Sequence, residues 1–377
     1  MISWETETVM DANFDLIDNR KALDALCQRL EKKSWFAIDT EFLREKTYHP
    51  KLCLIQVASD DEIACIDPLQ MPDLGCFTAL LTNPDITKVF HSAAQDMETL
   101  LHAIDCLPTP IFDTQIAAGL LGQGDQIGYA ALVEKLLDVK LPKTQTRTDW
   151  SRRPLSRDQL HYAADDVRYL RDIYTHQKAA LEAAGRSEWE REESARLEVA
   201  DKYRPQPSLL LRRVKGQHGL SLRERSIIRE LAIWREQVAE KKNLPRKWIL
   251  SDDALLGIAQ SGADSIKALQ ALRPLTSRLI DQHGEALADI VRRIQSLDDT
   301  EIRKLVSQQA LTPAENNRVK KIQKKLAEIA EAQGITQSMI ASRKDIEHLI
   351  QVDRNIPLME SWRREIAGKE IERMLEQ

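Results

Sequence analysis

The chain has 377 residues, 42% of them hydrophobic, enough apolar material for two or three packed domains and too much length for one ordinary domain. No apolar stretch of 18 residues occurs and Met1–Glu7 lacks the basic and apolar regions of a leader peptide, so neither a membrane-spanning nor an exported protein is expected but a soluble cytoplasmic one without membrane partners. The net charge of −5 hides a division: residues 1–205 carry 24 basic against 35 acidic side chains and residues 206–377 carry 30 against 24, so an acidic half precedes a basic half suited to a polyanion.

Residues 35–66 read as three strands joined by short turns. The first begins with the apolar run Trp35-Phe-Ala-Ile38 and continues through Asp39 and Glu41, two carboxylates that leave a strand on the same side. On a buried face such a pair repels strongly unless a hard cation with oxygen preference, Mg2+ or Mn2+, removes the conflict; a solvated strand end is the other meaning. Gln56 lies inside the apolar run Lys51–Val57, where it either faces a substrate or bonds a neighbouring backbone.

Residues 73–121 read as helix, strand, helix, short strand and helix. Lys88-Val-Phe90 is the first of these strands, and Ser92-x-x-Gln95 reads as a capping box that starts a helix over Ala93–Ala103. Asp96 then falls in the first helical turn, where the helix dipole favours an anion. His91 enters the candidate substrate-binding set, its more ordinary meaning being a partner to a ligand or a satisfied core residue.

Tyr129–Val139 and Ser156–Leu181 have helical periodicity, separated by the polar stretch Lys143–Arg153. Leu160, Ala163, Val167 and Leu170 repeat at about 3.6 residues, so Tyr162 and Asp166, four apart, stand side by side on one helical face. Trp150, Arg152 and Arg153 form an aromatic and basic cluster before this helix, of which Trp150 and Arg153 are candidates for stacking on a terminal base and pairing with phosphate; a packing anchor is the alternative for the tryptophan. A charged helix over Ser187–Lys202 ends at Arg204-Pro-Gln-Pro. The five cysteines form no metal-binding pattern and are expected to be reduced and mostly buried, which argues against structural zinc.

The second half is helical and contains a repeat. Val238-Ala239, Leu244, Ile249, Ser251, Leu255 and Ile258 recur as Ile329-Ala330, Ile335, Ile340, Ser342, Ile346 and Leu349, always 91 residues on, which indicates two copies of one helix-loop-helix module. In the first copy Arg246 and Lys247, with Lys241 and Lys242, are candidates for phosphate contact, while Trp248 either stacks or anchors the loop, a packed pin being the favoured expectation. Lys320, Lys321, Lys324 and Lys325 read as a solvated basic stripe.

The order Asp-x-Glu, then Asp, then Tyr-x-x-x-Asp, with 57 and 70 residues between the acids, is similar to the DEDD superfamily of 3'-to-5' exonucleases in its tyrosine-bearing branch. Within that branch the chain resembles the bacterial ribonuclease D family, also through Lys51–Val57, Phe112-Asp-Thr114 and Asp149–Leu155. Trp234-Arg-Glu, Leu244–Leu250 and Asp252–Ile258 resemble the helicase and ribonuclease D C-terminal (HRDC) domain; the second copy has lost Pro245, Arg246 and Trp248, with Thr336, Gln337 and Ser338-Met339 around those places.

The resemblance implies a ribonuclease H-like α/β domain, a mixed sheet flanked by helices, over residues 1–203. A linker over 204–213 and two all-α helical bundles over 214–295 and 296–377 would follow. It implies that Asp39 bridges two divalent cations, Mg2+ or Mn2+, that Glu41 and Asp166 complete the shell of the one that activates water, and that Asp96 holds the other largely through water, with Tyr162 orienting the attacking water. The implied activity is removal of nucleotides from a free RNA 3' end as 5'-monophosphates, with tRNA precursors as substrates and the protein a monomer. A DNA proofreading or repair exonuclease and a non-catalytic RNA-binding scaffold are the alternatives.

Overall fold

The computed structural model describes residues 14–142, 148–306 and 311–376; Met1–Glu7, read above for a leader, and Lys143–Arg147 of the polar stretch lie outside them. Two compact units result. Met1–Leu43, Lys51–Ala200 and Leu311–Gln377 form the first, and Arg44–Pro50 with Asp201–Ala310 the second.

The first unit is built on one six-stranded mixed sheet in the order β1-β4-β3-β2-β5-β6. Trp35–Leu43 (β2), Lys51–Ala58 (β3) and Ile63–Ile66 (β4) make the antiparallel meander expected for residues 35–66. Asp15–Ile17 (β1), Thr87–Phe90 (β5) and Ile111–Asp113 (β6) extend it in parallel. Side chains alternate along β2. Phe36 and Ile38 are fully buried, Phe36 against Phe77 of Gly75–Leu81 (α2) at 6.1 Å between ring centroids, while Ala37, Asp39 and Glu41 face the opposite side. Arg20–Leu30 (α1) has no counterpart in the elements expected from sequence. Ala94–Ile104 (α3), Thr114–Leu120 (α4) and Tyr129–Leu137 (α5) match expectation.

The helix expected over Ser156–Leu181 is two helices, Arg157–Arg168 (α6) and Leu170–Ala183 (α7). The Tyr129 hydroxyl breaks the ladder between them: it donates to the Asp165 carbonyl (2.7 Å) and accepts from the Tyr169 amide (3.3 Å), standing where the direct i to i−4 bond would form. Ser187–Ala195 (α8) is shorter than the helix expected there and gives way to a 3-10 turn at Ala200–Tyr203.

The second unit runs from Pro207–Leu210 (α9) through Leu222–Lys242 (α10), Arg246–Ile249 (α11), Asp252–Ser261 (α12), Ile266–Gln270 (α13), Ser277–Ser296 (α14) and Asp299–Leu305 (α15), packed around Leu231, Leu255, Ile258, Leu287 and Val291. A reciprocal Ser221–Glu224 capping box starts α10, and Asn243 in the left-handed region ends it. Within this unit Asn243 Oδ1 accepts from the amides of Tyr48 and His49 (3.1 Å each), and the Tyr48 hydroxyl donates to Glu236 (2.7 Å).

The repeat is real at the level of elements: Pro313–Gln333 (α16), Gln337–Ile340 (α17) and Arg343–Gln351 (α18) begin 91 residues after α10, α11 and α12. This second copy, with Ser361–Arg363 (α19) and Lys369–Glu376 (α20), shares its core with the sheet unit, where Val319, Leu326, Ile340, Leu358 and Ile371 join one cluster with Ala37, Val89, Ala117 and Leu120. Backbones approach closely there. A Cβ on Gly119 would lie 2.7 Å from Met339 Sδ, and the Thr336 amide donates to the Gly119 carbonyl (3.0 Å). Buried Arg363 pairs bidentately with buried Glu193, Nη2 lying 2.6 Å from Oε2, and Trp362 stacks on Trp189 at 4.5 Å. Removing one partner leaves an uncompensated buried charge. R363A is therefore expected to destabilise the first unit by about 3–5 kcal/mol in denaturant titration, and the double change E193L/R363M by much less; equal losses would mean the ion pair does not govern this packing.

Candidate metal centre

Local structure brings the first two acids together before any tertiary contact does. Strand alternation puts Asp39 and Glu41 on one side of β2, and the register with β3 shifts just beyond them, between Glu41 and Phe42. Asp166 comes from α6, started by a reciprocal Ser156–Gln159 capping box and packed over β2, β3 and β4. Carboxylate oxygens of Asp39, Glu41 and Asp166 all lie within 4.8 Å of one another, each residue only partly buried. Tyr162, one turn before Asp166, donates its hydroxyl to that carboxylate.

Asp96 sits in the first turn of α3, buried, and accepts from Thr40 Oγ1 at 2.5 Å. The turn before it is not the capping box expected from Ser92 and Gln95. Ser92 has a positive φ of 61°, α3 has no side-chain cap, and the turn ahead of it is held by Asp113 at the end of β6, whose two oxygens accept from the Ser92 and Ala93 amides (2.9 Å each) and from the Gln115 amide (2.8 Å). One carboxylate thus caps α4 and fixes the turn that enters α3. Thr40 and Asp113 were both missed in the sequence; the N-cap preference of an aspartate before a helix was the available signal for the second.

The electrostatics are those of crowded acids. Burial pushes Asp39 well above the usual carboxylate range, helped by Asp96, Asp166 and Glu41. Burial followed by Asp166 and Asp96 pushes Glu41 up to about 8. Asp96 rises to about 7 through burial, opposed by the Thr40 hydrogen bond, and Asp166 to about 7 through burial and Asp165, opposed by the bond from Tyr162. The charged groups acting on Glu41 and Asp166 are other acids, and the bonds the acids receive come from neutral hydroxyls and backbone amides. An all-oxygen set with uncompensated negative charge fits hard divalent cations. Burial raises the Tyr162 phenol too, with Asp166 and Glu41 adding to it, so it stays protonated.

The remaining candidates have other places. Gln56 is fully buried directly across the ladder from Asp39. His91 is a satisfied core residue: Nε2 donates to the Ile127 carbonyl (3.0 Å), Nδ1 meets the Thr114 hydroxyl (2.9 Å), and burial lowers its pKa. Trp150 is a packing anchor, buried with Cys53, Leu54 and Ala163 at 6.2 Å from the Tyr162 ring, and not open for stacking on a base. The phosphate contact expected of Arg153 is corrected by its bonds. Its five N–H groups go to both Asp67 oxygens (2.5 and 2.7 Å) and to the carbonyls of Trp150, Arg152 and Cys53, leaving no donor for substrate.

In the second unit Lys247 pairs with Asp252 (3.1 Å) and Arg246 approaches Glu236 (3.5 Å), both side chains still partly open. Trp248 is not the packed pin expected of it but 61% exposed; Ile249 beside it takes the core position.

Comparison with known proteins follows the same division. A 3'-5' exonuclease family model matches residues 14–182, an HRDC domain model residues 224–291, and a model of the ribonuclease D C-terminal HRDC domain residues 313–371. The chain is 37% identical to a ribonuclease D of Acidiphilium cryptum over 364 residues, 95% of this chain and 92% of that one. Among solved structures it is similar to Escherichia coli RNase D, an exoribonuclease involved in structured RNA processing, with a TM-score of 0.83 and 30% identity over 97% of this chain and 99% of that one. A Bifidobacterium adolescentis protein, 21% identical with a TM-score of 0.68 over 96% of this chain and 97% of that one, shares the fold.

Proposed function

Because the chain belongs to the ribonuclease D family and is a 3'-to-5' exoribonuclease, we propose that Asp39, Glu41, Asp96 and Asp166 hold two divalent cations, Mg2+ or Mn2+, and that Tyr162 completes the active site. The observation that carries this is the convergence of three carboxylates from β2 and α6 within 4.8 Å, charged alike, with other acids as the charged groups acting on Glu41 and Asp166. When bound, two such ions stabilise the attacking and leaving oxygens of an in-line displacement at phosphorus. The protein's own part is to hold the acids on rigid elements and to aim the Tyr162 hydroxyl, which orients a water by hydrogen bonding.

The substrates are RNAs with a free 3' end, tRNA precursors with extra 3' residues among them, shortened one nucleotide at a time in the cytoplasm by a monomer. Arg246, Lys247 and exposed Trp248 of the first helical module contact the RNA body, through phosphate pairing and stacking respectively. Among the described residues no helix is long and apolar enough to cross a membrane.

The test is decay of matched 3'-extended tRNA precursor, unstructured RNA and DNA oligonucleotides. Stepwise release of 5'-monophosphates from the RNA 3' ends, stopped by EDTA and restored by Mg2+ or Mn2+, is expected. Internal cleavage, EDTA-insensitive decay or a preference for DNA would overturn the reading.

A further inference from the structure

β3 carries one polar residue in an otherwise apolar buried run. Gln56 is fully buried, and neither its amide nitrogen nor its amide oxygen meets a hydrogen-bond partner. Each such group loses its bonds to water without replacement, which costs stability. A space-filling role does not account for it, since leucine would fill a similar volume without that penalty.

Position does account for it. Gln56 stands directly across from Asp39 in the β2–β3 ladder and from Cys65 in the β3–β4 ladder, facing the same side as both. Above it packs α6, the helix of Tyr162 and Asp166. That helix supplies a second unsatisfied group. Arg168 pairs with Asp165 through Nε (2.8 Å), while its Nη2 is buried without a partner among the described residues. Gln56 therefore lies across from the Asp39 carboxylate and beneath the helix whose Arg168 carries a buried donor without a partner.

Resting on the cation-binding reading of Asp39, we propose that Gln56 is a positioning residue that bridges Arg168 to Asp39. In the loaded site its Nε2–H donates to the Asp39 carboxylate and its Oε1 accepts from Arg168 Nη2. The polarity suits an amide in particular, which donates at one atom and accepts at the other. A lysine here would bring a competing cation into the cluster, a glutamate a fifth acid, and a leucine would leave the carboxylate to rotate. The bridge passes the influence of Arg168 to the cluster while keeping the guanidinium itself out of the cation's place. Partners of this kind, one step behind a ligand, typically contribute 10–100-fold to metal affinity or activity.

The experiment uses full-length protein stripped with EDTA, titrated with Mn2+ and followed by the paramagnetic resonance of the free ion. Q56L is expected to bind Mn2+ about 10–100-fold more weakly and to lose kcat on a short RNA with KM nearly unchanged. Its metal-free form should melt no lower than the parent, because two unpaired buried groups have gone. R168M is expected to weaken Mn2+ binding in the same direction, and Q56L/R168M to be no weaker than Q56L alone, because the bridge is already cut. Unchanged Mn2+ affinity in Q56L, or an additive double variant, overturns the proposal; should Q56L fail to fold, unchanged affinity in R168M does so. A parent protein that binds no Mn2+ would instead remove the reading of the cluster itself, and this inference with it.

Discussion

D39N is expected to lower kcat on RNA 3' ends by on the order of 10^3-fold or more while raising the melting temperature of the EDTA-treated protein at pH 8. The two effects have one cause. Asp39 is the acid most surrounded by others, with Asp96, Asp166 and Glu41 all pushing its pKa upward. A carboxamide keeps the shape and the β2 position but removes the charge. Losing a ligand to ions that supply several kcal/mol of transition-state stabilisation accounts for the rate, at 1.36 kcal/mol per factor of ten. Relieving repulsion among like charges accounts for the stability, at about 2–4 °C for each kcal/mol in a unit of this size. Activity near that of the parent would remove Asp39 from the ligand set, and a fall in metal-free melting temperature would show that its charge is compensated by a route not visible in the geometry.

What the sequence made legible is what short-range periodicity carries. Asp39 and Glu41 could be put on one face because a strand alternates, and Tyr162 with Asp166 because four residues make about one helical turn. The same locality let the 91-residue repeat be read to the residue, since α16, α17 and α18 begin at that displacement from α10, α11 and α12. Three-residue β1 and the charged α1 lay below the resolution of such patterns.

Partnerships between distant residues were not legible. Arg153 resembled a phosphate ligand because its engagement by Asp67 spans 86 residues, and Ser92 resembled an N-cap because the carboxylate that holds its turn, Asp113, lies 21 residues on. The break between α6 and α7 comes from a hydroxyl on Tyr129, 36 residues before the carbonyl it meets. Trp248 shows the opposite failure: a large apolar side chain beside a core isoleucine was assigned to the interior, yet its counterpart in the second copy, Met339, is the one pressed against Gly119, while Trp248 stays in solvent.

Between pH 6.5 and 8 the metal-free protein should lose stability as pH rises, and Mn2+ should restore more of it at pH 8 than at pH 6.5. Asp96 and Asp166 are raised to about 7 and Glu41 to about 8, against unfolded values near 4. Folded protein therefore holds more protons than unfolded protein through this window, and stability falls with pH as those protons leave. Below it, buried His91, lowered from 6.5, contributes in the opposite sense, and above it so does Lys88, lowered to about 8 by burial, which sets the window's edges. Glu190, raised to about 8 by burial beside Ser194 and the Asp113 amide, adds to the decline in the stripped protein but lies outside the ligand set. The difference between loaded and stripped melting temperatures cancels its share and isolates the cluster. Because cations bind the ionised acids, loading at pH 6.5 must also expel protons, and affinity must climb with pH until the cluster is ionised. Calorimetric titration with Mn2+ in two buffers of different ionisation enthalpy measures that release directly. A metal-induced rise in melting temperature that is the same at pH 6.5 and 8, with no proton released at the lower pH, would mean that the ions bind somewhere other than among Asp39, Glu41, Asp96 and Asp166.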